Sequence, residues 1–387
     1  MVVRALRPRE APVEPLPVRA EDHFDAADLA RARSFRRPQP AFAAAGLALD
    51  AGLLVAMLRR PGRLPRRPGP QGAAVSLLLT AGGLPIGALA RRRAVRAGLI
   101  TQSWGGWAGD VAKSSAIGAV FAGVGAEAAA ALRRRFGASW WLPGAGGAAV
   151  AGAAYLVAGP LLLDPLFNTF TPLPDGEARA DVMELAERAG VGVRQVFSVD
   201  ASRRTTMINA YVTGLGPAKR VVLYDTLLDG FPREQVRLVV AHELGHVRHR
   251  DVPRLLAAGA ALTPTVAFAV ARLADALEDS DERRRVPALA LALGLVTTPV
   301  SFAMSSLSRA IEARTDVFAL RLTGEPQALI DFHRGIAVRN LADPDPPAWR
   351  QRLLGTHPTI VERIGIAQAY ATSTGERERS RSTQPQA

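Results

Sequence analysis

The strongest chemical signal in the sequence is a pair of histidines separated by three residues. His242, Glu243 and His246 form a His-Glu-x-x-His pattern, and the apolar spacing of the preceding residues 232–240 is typical of a helix. Positions i and i+4 of a helix lie on one face, so the two imidazoles can bind one metal ion together. Glu243 then lies beside the metal, where a general base for a water molecule is needed. The pattern predicts a zinc hydrolase, with two surface histidines on an ordinary helix as the alternative.

A tetrahedral zinc site of this kind needs one more protein ligand besides the two histidines. His249 lies too close to the second histidine to extend the pattern, and it is better placed, with Asp251, to cap or pair at the helix end. Glu312 and Asp316 are four residues apart on a predicted helix, so one can bind the metal while the other orients a ligating histidine. Spacing alone leaves a second interpretation open, in which these two carboxylates and Arg309 form a surface ion-pair ladder.

Composition narrows the possible classes of protein. The 387 residues carry a net charge of +13, almost entirely from arginine, and include no cysteine. Because the arginines form short clusters beside apolar spans, with no basic–aromatic stripe, we expect a membrane protein that has no nucleic-acid partner. Without cysteine, disulfides and thiolate metal ligands are excluded. No short apolar segment with a cleavage site begins the sequence, which predicts that no signal peptide is removed.

Apolar segments predict six membrane spans, most of them close to the minimum length that crosses a hydrocarbon core. Four precede the histidine motif and two follow it, at residues 41–58, 72–90, 116–132, 145–163, 255–273 and 286–307. Asp50 and Glu127 lie within two of these spans, where an ionisable side chain usually faces the bundle interior or a wet cavity, unless it reaches water from a span end. Trp104 and Trp107, between the second and third spans, suit a membrane interface.

The remaining segments have soluble character and include a small α/β unit. Its predicted elements are a helix over 177–189, strands over 193–199, 207–213 and 220–224, and the motif helix over 232–249. This order is typical of zinc peptidases, in which an edge strand usually holds the substrate backbone. The predicted domains are an N-terminal cytoplasmic segment (1–40), a membrane domain of four spans (41–163), a metallopeptidase domain that includes the membrane hairpin 255–307 (164–371), and a disordered tail (372–387).

Beyond the motif, the chain resembles the type I CAAX prenyl protease family of integral-membrane zinc metallopeptidases, which are gluzincins. Besides the motif itself, the matching segments are 21–24, 31–37, 107–113, 166–176, 209–216, 220–228, 308–316 and 356–363. Segments 107–110 and 166–173 favour this family over the related HtpX-type proteases. Two features depart from its pattern: Thr315 replaces the alanine before Asp316, and four spans precede the motif where the eukaryotic members have five. The alanine- and arginine-rich composition indicates a bacterial member.

The resemblance implies both a fold and a set of site residues. The fold is mainly α, a polytopic membrane helical bundle with a small α/β gluzincin-type zinc peptidase unit that a transmembrane helical hairpin interrupts. The resemblance implies that one Zn²⁺ is bound by His242, His246 and Glu312, and that Glu243 is the general base. It implies that Asp316 orients a ligating histidine from behind. It also implies a substrate-binding edge strand that includes Asn209 and Ala210, and a position near the scissile carbonyl for His357 and Arg363. From the sequence alone, His357 could equally start a helix, and Arg363 could equally be a surface cation.

These observations predict a zinc metalloendopeptidase of the cell membrane that cleaves a peptide or a membrane-protein substrate with a zinc-activated water. Because four spans precede the motif, the N-terminal segment and the catalytic unit are expected on one side, which the resemblance implies is the cytoplasm. A broad-specificity, HtpX-like quality-control protease is the alternative enzyme. A non-catalytic metal-binding scaffold or transporter is the alternative of another class. The sequence leaves the natural substrate, its prenylation and the oligomeric state open.

Overall fold

The computed structural model describes residues 13–214 and 219–382 of the chain. Outside this part lie residues 1–12 of the predicted N-terminal segment, the end of the matching segment 209–216, and residues 383–387 of the predicted tail. The chain forms two compact units. The first comprises Met1–Arg37, Gly159–Leu255 and Phe302–Ala387, and the second comprises Pro38–Ala158 and Leu256–Ser301. We call them the peptidase unit and the membrane unit.

Helices dominate the described residues. In chain order they are α1 (Ala26–Arg36), α2 (Gln39–Arg59), α3 (Pro68–Arg96), α4 (Trp104–Phe136), α5 (Trp141–Leu162), α6 (Glu177–Arg188), α7 (Asp225–Leu228), α8 (Arg233–Arg248), α9 (Asp251–Leu277), α10 (Arg285–Thr323), α11 (Pro326–Arg339), α12 (Ala348–Leu354) and α13 (Ile360–Ser382). The strands are β1 (Phe170–Pro172), β2 (Val193–Val199), β3 (Ala210–Thr213) and β4 (Lys219–Tyr224).

Six helices among the described residues are long and apolar enough to cross a membrane, and each predicted span lies on one of them. The predicted hairpin 255–307 was assigned to the peptidase domain, whereas most of it, Leu256–Ser301, belongs to the membrane unit. The reason is apolar packing: Ala288 and Leu291 of α10 lie in one buried cluster with residues of α2 and α3. The described part of the N-terminal segment, in turn, belongs to the peptidase unit, where Arg36 donates hydrogen bonds to the carbonyl oxygens of Leu341 and Asn340.

Of the two acidic residues predicted inside the membrane spans, Glu127 has a backbone partner on another helix. Glu127 is exposed, and its Oε2 accepts a hydrogen bond from the backbone N–H of Gly69 at 2.9 Å. A carboxylate in this place is favourable because the first N–H groups of a helix lack partners and carry partial positive charge. Asp50 is partly exposed. The exposure of Glu127 agrees with the wet environment expected for an ionisable group in a span, and its carboxylate binds the start of α3.

The peptidase unit contains a four-stranded sheet in the order β1-β2-β4-β3. β2 and β4 are parallel, and β1 and β3 pair antiparallel to them on the two sides, so among the described strands β3 lies at an edge, as predicted. Val221 and Leu223 are buried in the main core with α8, while Val222 packs on the other face. The sequence did not predict β1, which has only three residues and contains Pro172.

The C-terminal segment also differs from the prediction. Residues 372–382, expected to be disordered, continue helix α13 to Ser382. The start of this helix is anchored because Ile364, Ile366 and Ala367 are buried in the core of the peptidase unit. Glutamate and arginine are good helix formers, and extending a helix costs far less than starting one.

Candidate metal centre

Helix α8 carries the histidine motif, and burial of its apolar face sets its rotation. Val240, Ala241 and Leu244 are at most 1 % exposed and pack into the core of the peptidase unit. Because side chains recur every 3.6 residues, His242 and His246 then lie together on another face. Their rings are edge to face, with centroids 4.9 Å apart. The hydrophobic pattern of α8 thus presents both imidazoles to the same neighbour.

That neighbour is Glu312 on α10. Its Oε2 lies 3.2 Å from His242 Nε2, and its Oε1 lies 3.5 Å from His246 Nε2. The three potential ligand atoms lie within 4.8 Å of one another, and no other such cluster of three occurs within residues 13–214 and 219–382. The ion-pair ladder left open by the sequence is not formed, since Arg309 donates to the carbonyl oxygens of Gln351 and Gly355.

The cluster fits a zinc ion. Glu312 is only 8 % exposed, and its Oε2 makes no hydrogen bond within the described part of the chain. The nearest nitrogen, His242 Nε2, lies 3.2 Å away without forming a hydrogen bond, and a cation between the two groups would stabilise this buried carboxylate. Two imidazole nitrogens and one carboxylate oxygen form a ligand set that zinc uses in catalytic sites, where a fourth position stays open.

Asp316 lies behind His242, on the side opposite Glu312. Its Oδ1 is 3.0 Å from His242 Nδ1, which leaves Nε2 toward the cluster. Burial lowers the pKa of His242, but the carboxylates of Asp316 and Glu312 more than reverse this and raise it to about 10. Asp316 is itself held by Arg363, whose Nε and Nη2 donate to its two oxygens. Arg363 is therefore a partner of a buried carboxylate and is not a surface cation.

Asp251 holds His246 in the same way. Its Oδ2 lies 3.0 Å from His246 Nδ1, and Arg314 Nη2 donates to both of its oxygens at 2.5 and 2.6 Å. Arg250, with a left-handed φ of 55°, forms the turn between α8 and α9 that places Asp251 here. The sequence suggested pairing at the helix end for Asp251 but did not identify its partner. His249 Nδ1 lies 2.8 Å from the Gly245 carbonyl oxygen, which agrees with a capping role.

Glu243 lies beside the cluster and lines a cavity of about 150 Å³. Desolvation raises its pKa, and the two neighbouring histidines oppose this shift only in part. A carboxylate with a raised pKa accepts a proton more readily near neutral pH, as a general base must. The cavity is also lined by Asn209 and Ala210 at the start of β3, by His357 and by Arg363. The structure thus brings the sequence-predicted site residues into one place.

His357 and β3 lie at the open side of this site. The His357 side chain is 55 % exposed, and its Nε2 lies 3.4 Å from Glu312 Oε2. Within the described strands, β3 pairs only with β4, through Ala210 opposite Leu223. An extended peptide can add to such an unpaired strand edge by backbone hydrogen bonds.

His333 is a site residue that the sequence analysis missed. It is 2 % exposed on α11 and lines the same cavity. Burial lowers its pKa well below the ordinary value for histidine, so it is uncharged at neutral pH. A single histidine within an amphipathic helix carries no motif, and only its rarity, as one of six in the chain, could have drawn attention to it. Apolar side chains from α8 and α11 complete the cavity wall: Leu238, Val239, Leu329, Phe332 and Ile336.

Gly245, between the two histidines, allows α8 and α10 to approach closely. A Cβ atom added at this position would lie 2.9 Å from Thr315 Cγ2 and 2.9 Å from Phe318 Cδ1. Thr315, the residue that departs from the family pattern, is fully buried and donates its hydroxyl to the Ile311 carbonyl within its own helix. It therefore reaches neither histidine nor Glu312.

Residues 172–371, more than half of the chain, match the model of peptidase family M48. The chain belongs to peptidase family M48. The matched region contains every residue of the candidate metal centre. M48 membership implies a metal in this site, and the helices of the membrane unit make this M48 member a multi-pass membrane protein.

The chain is similar to curated relatives over part of their length. It is 30 % identical over 220 residues to the uncharacterized metalloprotease YhfN of Bacillus subtilis, covering 54 % of this chain and 51 % of that protein. It is 39 % identical over 98 residues to CAAX prenyl protease 1 of Saccharomyces cerevisiae, covering 25 % and 22 %. The chain therefore matches about half of the first relative and about a fifth of the second.

The fold extends further than the sequence similarity. The crystal structure of S. mikatae Ste24p matches with a TM-score of 0.78 at 22 % identity and covers 94 % of this chain and 93 % of that one. These findings confirm the predicted resemblance to the CAAX prenyl protease family and the mainly helical membrane fold with its small sheet.

We expect the Asp251→Asn variant of this M48 chain to bind zinc about 10- to 100-fold more weakly than the wild type, because partners that orient ligating histidines typically contribute this much. Zinc affinity is measured by competition with a chelator. Asp229→Asn is the matched control, since Asp229 is exposed. Unchanged affinity in Asp251→Asn would mean that Asp251 serves only to hold Arg314.

Proposed function

We propose that this chain is a membrane-embedded zinc metalloendopeptidase that hydrolyses peptide bonds with Glu243 as general base. The observation that carries the proposal is the cluster of His242, His246 and Glu312 with Glu243 beside it, facing a cavity next to an unpaired strand edge. A structural zinc site would close its fourth position with another protein ligand. No fourth residue joins the cluster within the described residues, which favours an enzyme over a metal-binding scaffold or transporter.

One Zn²⁺ per chain would be held by His242, His246 and Glu312. When bound, zinc supplies a Lewis acid that polarises the peptide carbonyl and makes a water molecule more acidic. Asp251 is hydrogen-bonded to His246 Nδ1 and Asp316 Oδ1 lies 3.0 Å from His242 Nδ1, so that Nε2 of each ring is available for the metal. These two carboxylates thus determine which nitrogen of each ring is the ligand.

Glu243 moves the proton. Its raised pKa suits acceptance of a proton from the attacking water, and the same carboxyl group then donates that proton to the leaving amine. His357, at the open side of the site, is placed to donate a hydrogen bond to the carbonyl oxygen as negative charge develops there. Arg363 adds positive charge at the same wall of the cavity and holds Asp316 in place.

The substrate is a peptide or membrane protein bound in extended conformation along β3. Ala210 begins this strand, Asn209 precedes it, and both line the cavity with Glu243, so a peptide paired with β3 would lie next to the general base. The apolar wall formed by Leu238, Leu329 and Phe332 suits an apolar side chain next to the scissile bond. We propose the cell membrane as the location, with the peptidase unit facing the cytoplasm.

A panel of substrates tests the activity and separates the two enzyme alternatives. Zinc-loaded protein in nanodiscs is incubated with a farnesylated CAAX peptide, the same peptide without the farnesyl group, and an unfolded membrane protein. Because the chain is similar over part of its length to relatives named CAAX prenyl protease 1, we expect zinc-dependent cleavage of the farnesylated peptide, with Glu243→Gln as the inactive control. Cleavage of the unfolded protein at a similar rate would indicate a broad-specificity quality-control protease. No cleavage of any substrate would contradict the enzyme and favour the scaffold.

A further inference from the structure

A second cavity, of about 560 Å³, lies in the membrane unit, away from the metal centre. It is formed by the start of α3, the last turns of α4 and the connection between α9 and α10. Charged side chains form one part of its lining: Arg66, Arg67, Arg133, Arg134, Glu278, Glu282 and Arg285. Apolar side chains form the other part: Ala126, Ala129, Ala130, Val286 and Leu289. Nothing in the proposed peptidase mechanism uses this cavity.

The cavity has an excess of positive charge. Five arginines and two glutamates line it. Arg133 is neutralised by Glu278 at 2.6 Å and by Asp275 at 3.1 Å, and Arg285 pairs with Glu282 at 3.2 Å. Arg66, Arg67 and Arg134 are exposed and have no ion-pair partner among the described residues. Three guanidinium groups therefore converge on the cavity without a protein anion to balance them.

The walls of the cavity are held in place by a buried amide. Gln71 is only 1 % exposed, and its Nε2 donates to the carbonyl oxygens of Pro65 at 3.1 Å and Arg283 at 2.8 Å. Its Oε1 accepts from the Val286 backbone N–H at 3.2 Å. These bonds tie the connection before α3 to the connection before α10. A ligand that binds here meets walls that are already ordered, which reduces the entropic cost of binding.

Polarity changes along the cavity in the direction of the helices. On α4, Ala126 and Ala130 precede Arg133 and Arg134 by one to two turns on one helix face. On α10, Arg285 comes first, and Leu289 follows one turn further in. Both helices thus present charge at their ends and apolar side chains toward the middle of their spans. A ligand that matches this gradient has an anionic end and an apolar continuation.

We propose that this cavity binds an anionic phospholipid. The phosphate group lies between Arg66, Arg67 and Arg134, and the first part of an acyl chain lies along Ala130 and Leu289. Guanidinium groups are well suited to phosphate because they donate paired hydrogen bonds in a fixed plane. A free phosphate ion would use the arginines but leave the apolar wall without a partner.

The test compares two triple variants of the full chain. Arg66→Ala/Arg67→Ala/Arg134→Ala removes the unpaired cavity arginines, and Arg59→Ala/Arg60→Ala/Arg135→Ala removes three exposed arginines in the same connections that do not line the cavity. Both lose the same charge. Lipid binding is measured by native mass spectrometry from phosphatidylcholine vesicles with and without phosphatidylglycerol. We expect the wild type and the control triple to retain phosphatidylglycerol. The cavity triple should bind it about 100-fold more weakly, because each arginine near an anionic lipid contributes about 1 kcal/mol of binding free energy.

Three results would overturn the proposal. The first is equal retention by the cavity triple and the wild type, and the second is an equal loss in the control triple, which would show general surface attraction. The third is displacement of the lipid by inorganic phosphate at equal concentration, which would indicate an anion site without lipid specificity. If the cavity triple fails to fold, the single Arg134→Glu variant replaces it and must lose phosphatidylglycerol but not phosphatidylcholine. Folding of each variant is checked independently by thermal unfolding.

Discussion

The Glu243→Gln variant is expected to retain its zinc and to lose about 10³- to 10⁴-fold in kcat/KM, the upper part of the range that a positioned general base contributes. Glutamine has nearly the same shape as glutamate but cannot accept the proton of the attacking water. His242, His246 and Glu312, which form the metal cluster, are left intact. The loss should therefore appear in kcat more than in KM, since peptide binding along β3 does not depend on Glu243.

The measurement combines metal analysis with steady-state kinetics on the best substrate of the panel. Glu187→Gln is the matched control, because Glu187 is exposed on α6 and does not line the site cavity. Residual turnover within about tenfold of the wild type would be incompatible with a general base at this position. Loss of zinc from Glu243→Gln would instead show that Glu243 contributes to metal retention.

The Glu312→Ala variant is expected to lose zinc. Glu312 contributes the carboxylate of the three-residue cluster on a different helix from the two histidines. Removing a ligand should weaken zinc binding by more than the about 100-fold that follows loss of a residue behind a ligand. Two histidines of α8 alone leave a site that competing chelators empty readily, so activity should fall with the zinc content.

Zinc content after dialysis against a weak chelator distinguishes this outcome from general damage. Glu187→Ala serves as the control for loss of a glutamate side chain, and thermal unfolding is recorded for both variants. If Glu312→Ala kept one zinc per chain, Glu312 would be a structural partner of the histidines and not a ligand. Zinc-dependent stabilisation of the wild type but not of Glu312→Ala would link metal binding to the fold.

Local patterns in the sequence were sufficient to predict that the two histidines share a helix face and to locate the membrane spans. The i and i+4 spacing of His242 and His246 is a property of one helix, and the apolar runs are properties of single segments. Glu312 is different, because it follows His246 across two membrane helices. It shares a helix face with Asp316, so spacing could not decide which carboxylate meets the metal. In the structure Glu312 lies between the Nε2 atoms of the two histidines, and Asp316 lies at Nδ1 of His242.

Other features depend on contacts that no local pattern contains. The pairing of Asp251 with His246 requires a left-handed backbone conformation at Arg250. Arginine rarely adopts this conformation, so the sequence does not predict the turn. Glu127 was read as a polar group within an apolar span, and its partner is the backbone N–H of Gly69, 58 residues earlier. β1 forms only because β2 offers it an edge, since three residues that include a proline have little strand signal of their own.

The close contact at Gly245 restricts a position of the histidine motif that the motif itself does not specify. Written as His-Glu-x-x-His, it leaves two positions open to any residue. Neither is open in this chain, because Leu244 is fully buried in the core of the peptidase unit and a methyl group at 245 would meet Thr315 and Phe318. Ligand distances in metal sites agree with their usual values to within about 0.2 Å, so we expect a helix displaced by a methyl group to bind zinc more weakly. In a library randomised over residues 242–246, we expect selection for activity to conserve all five positions, two of them for the space they occupy and not for their chemistry.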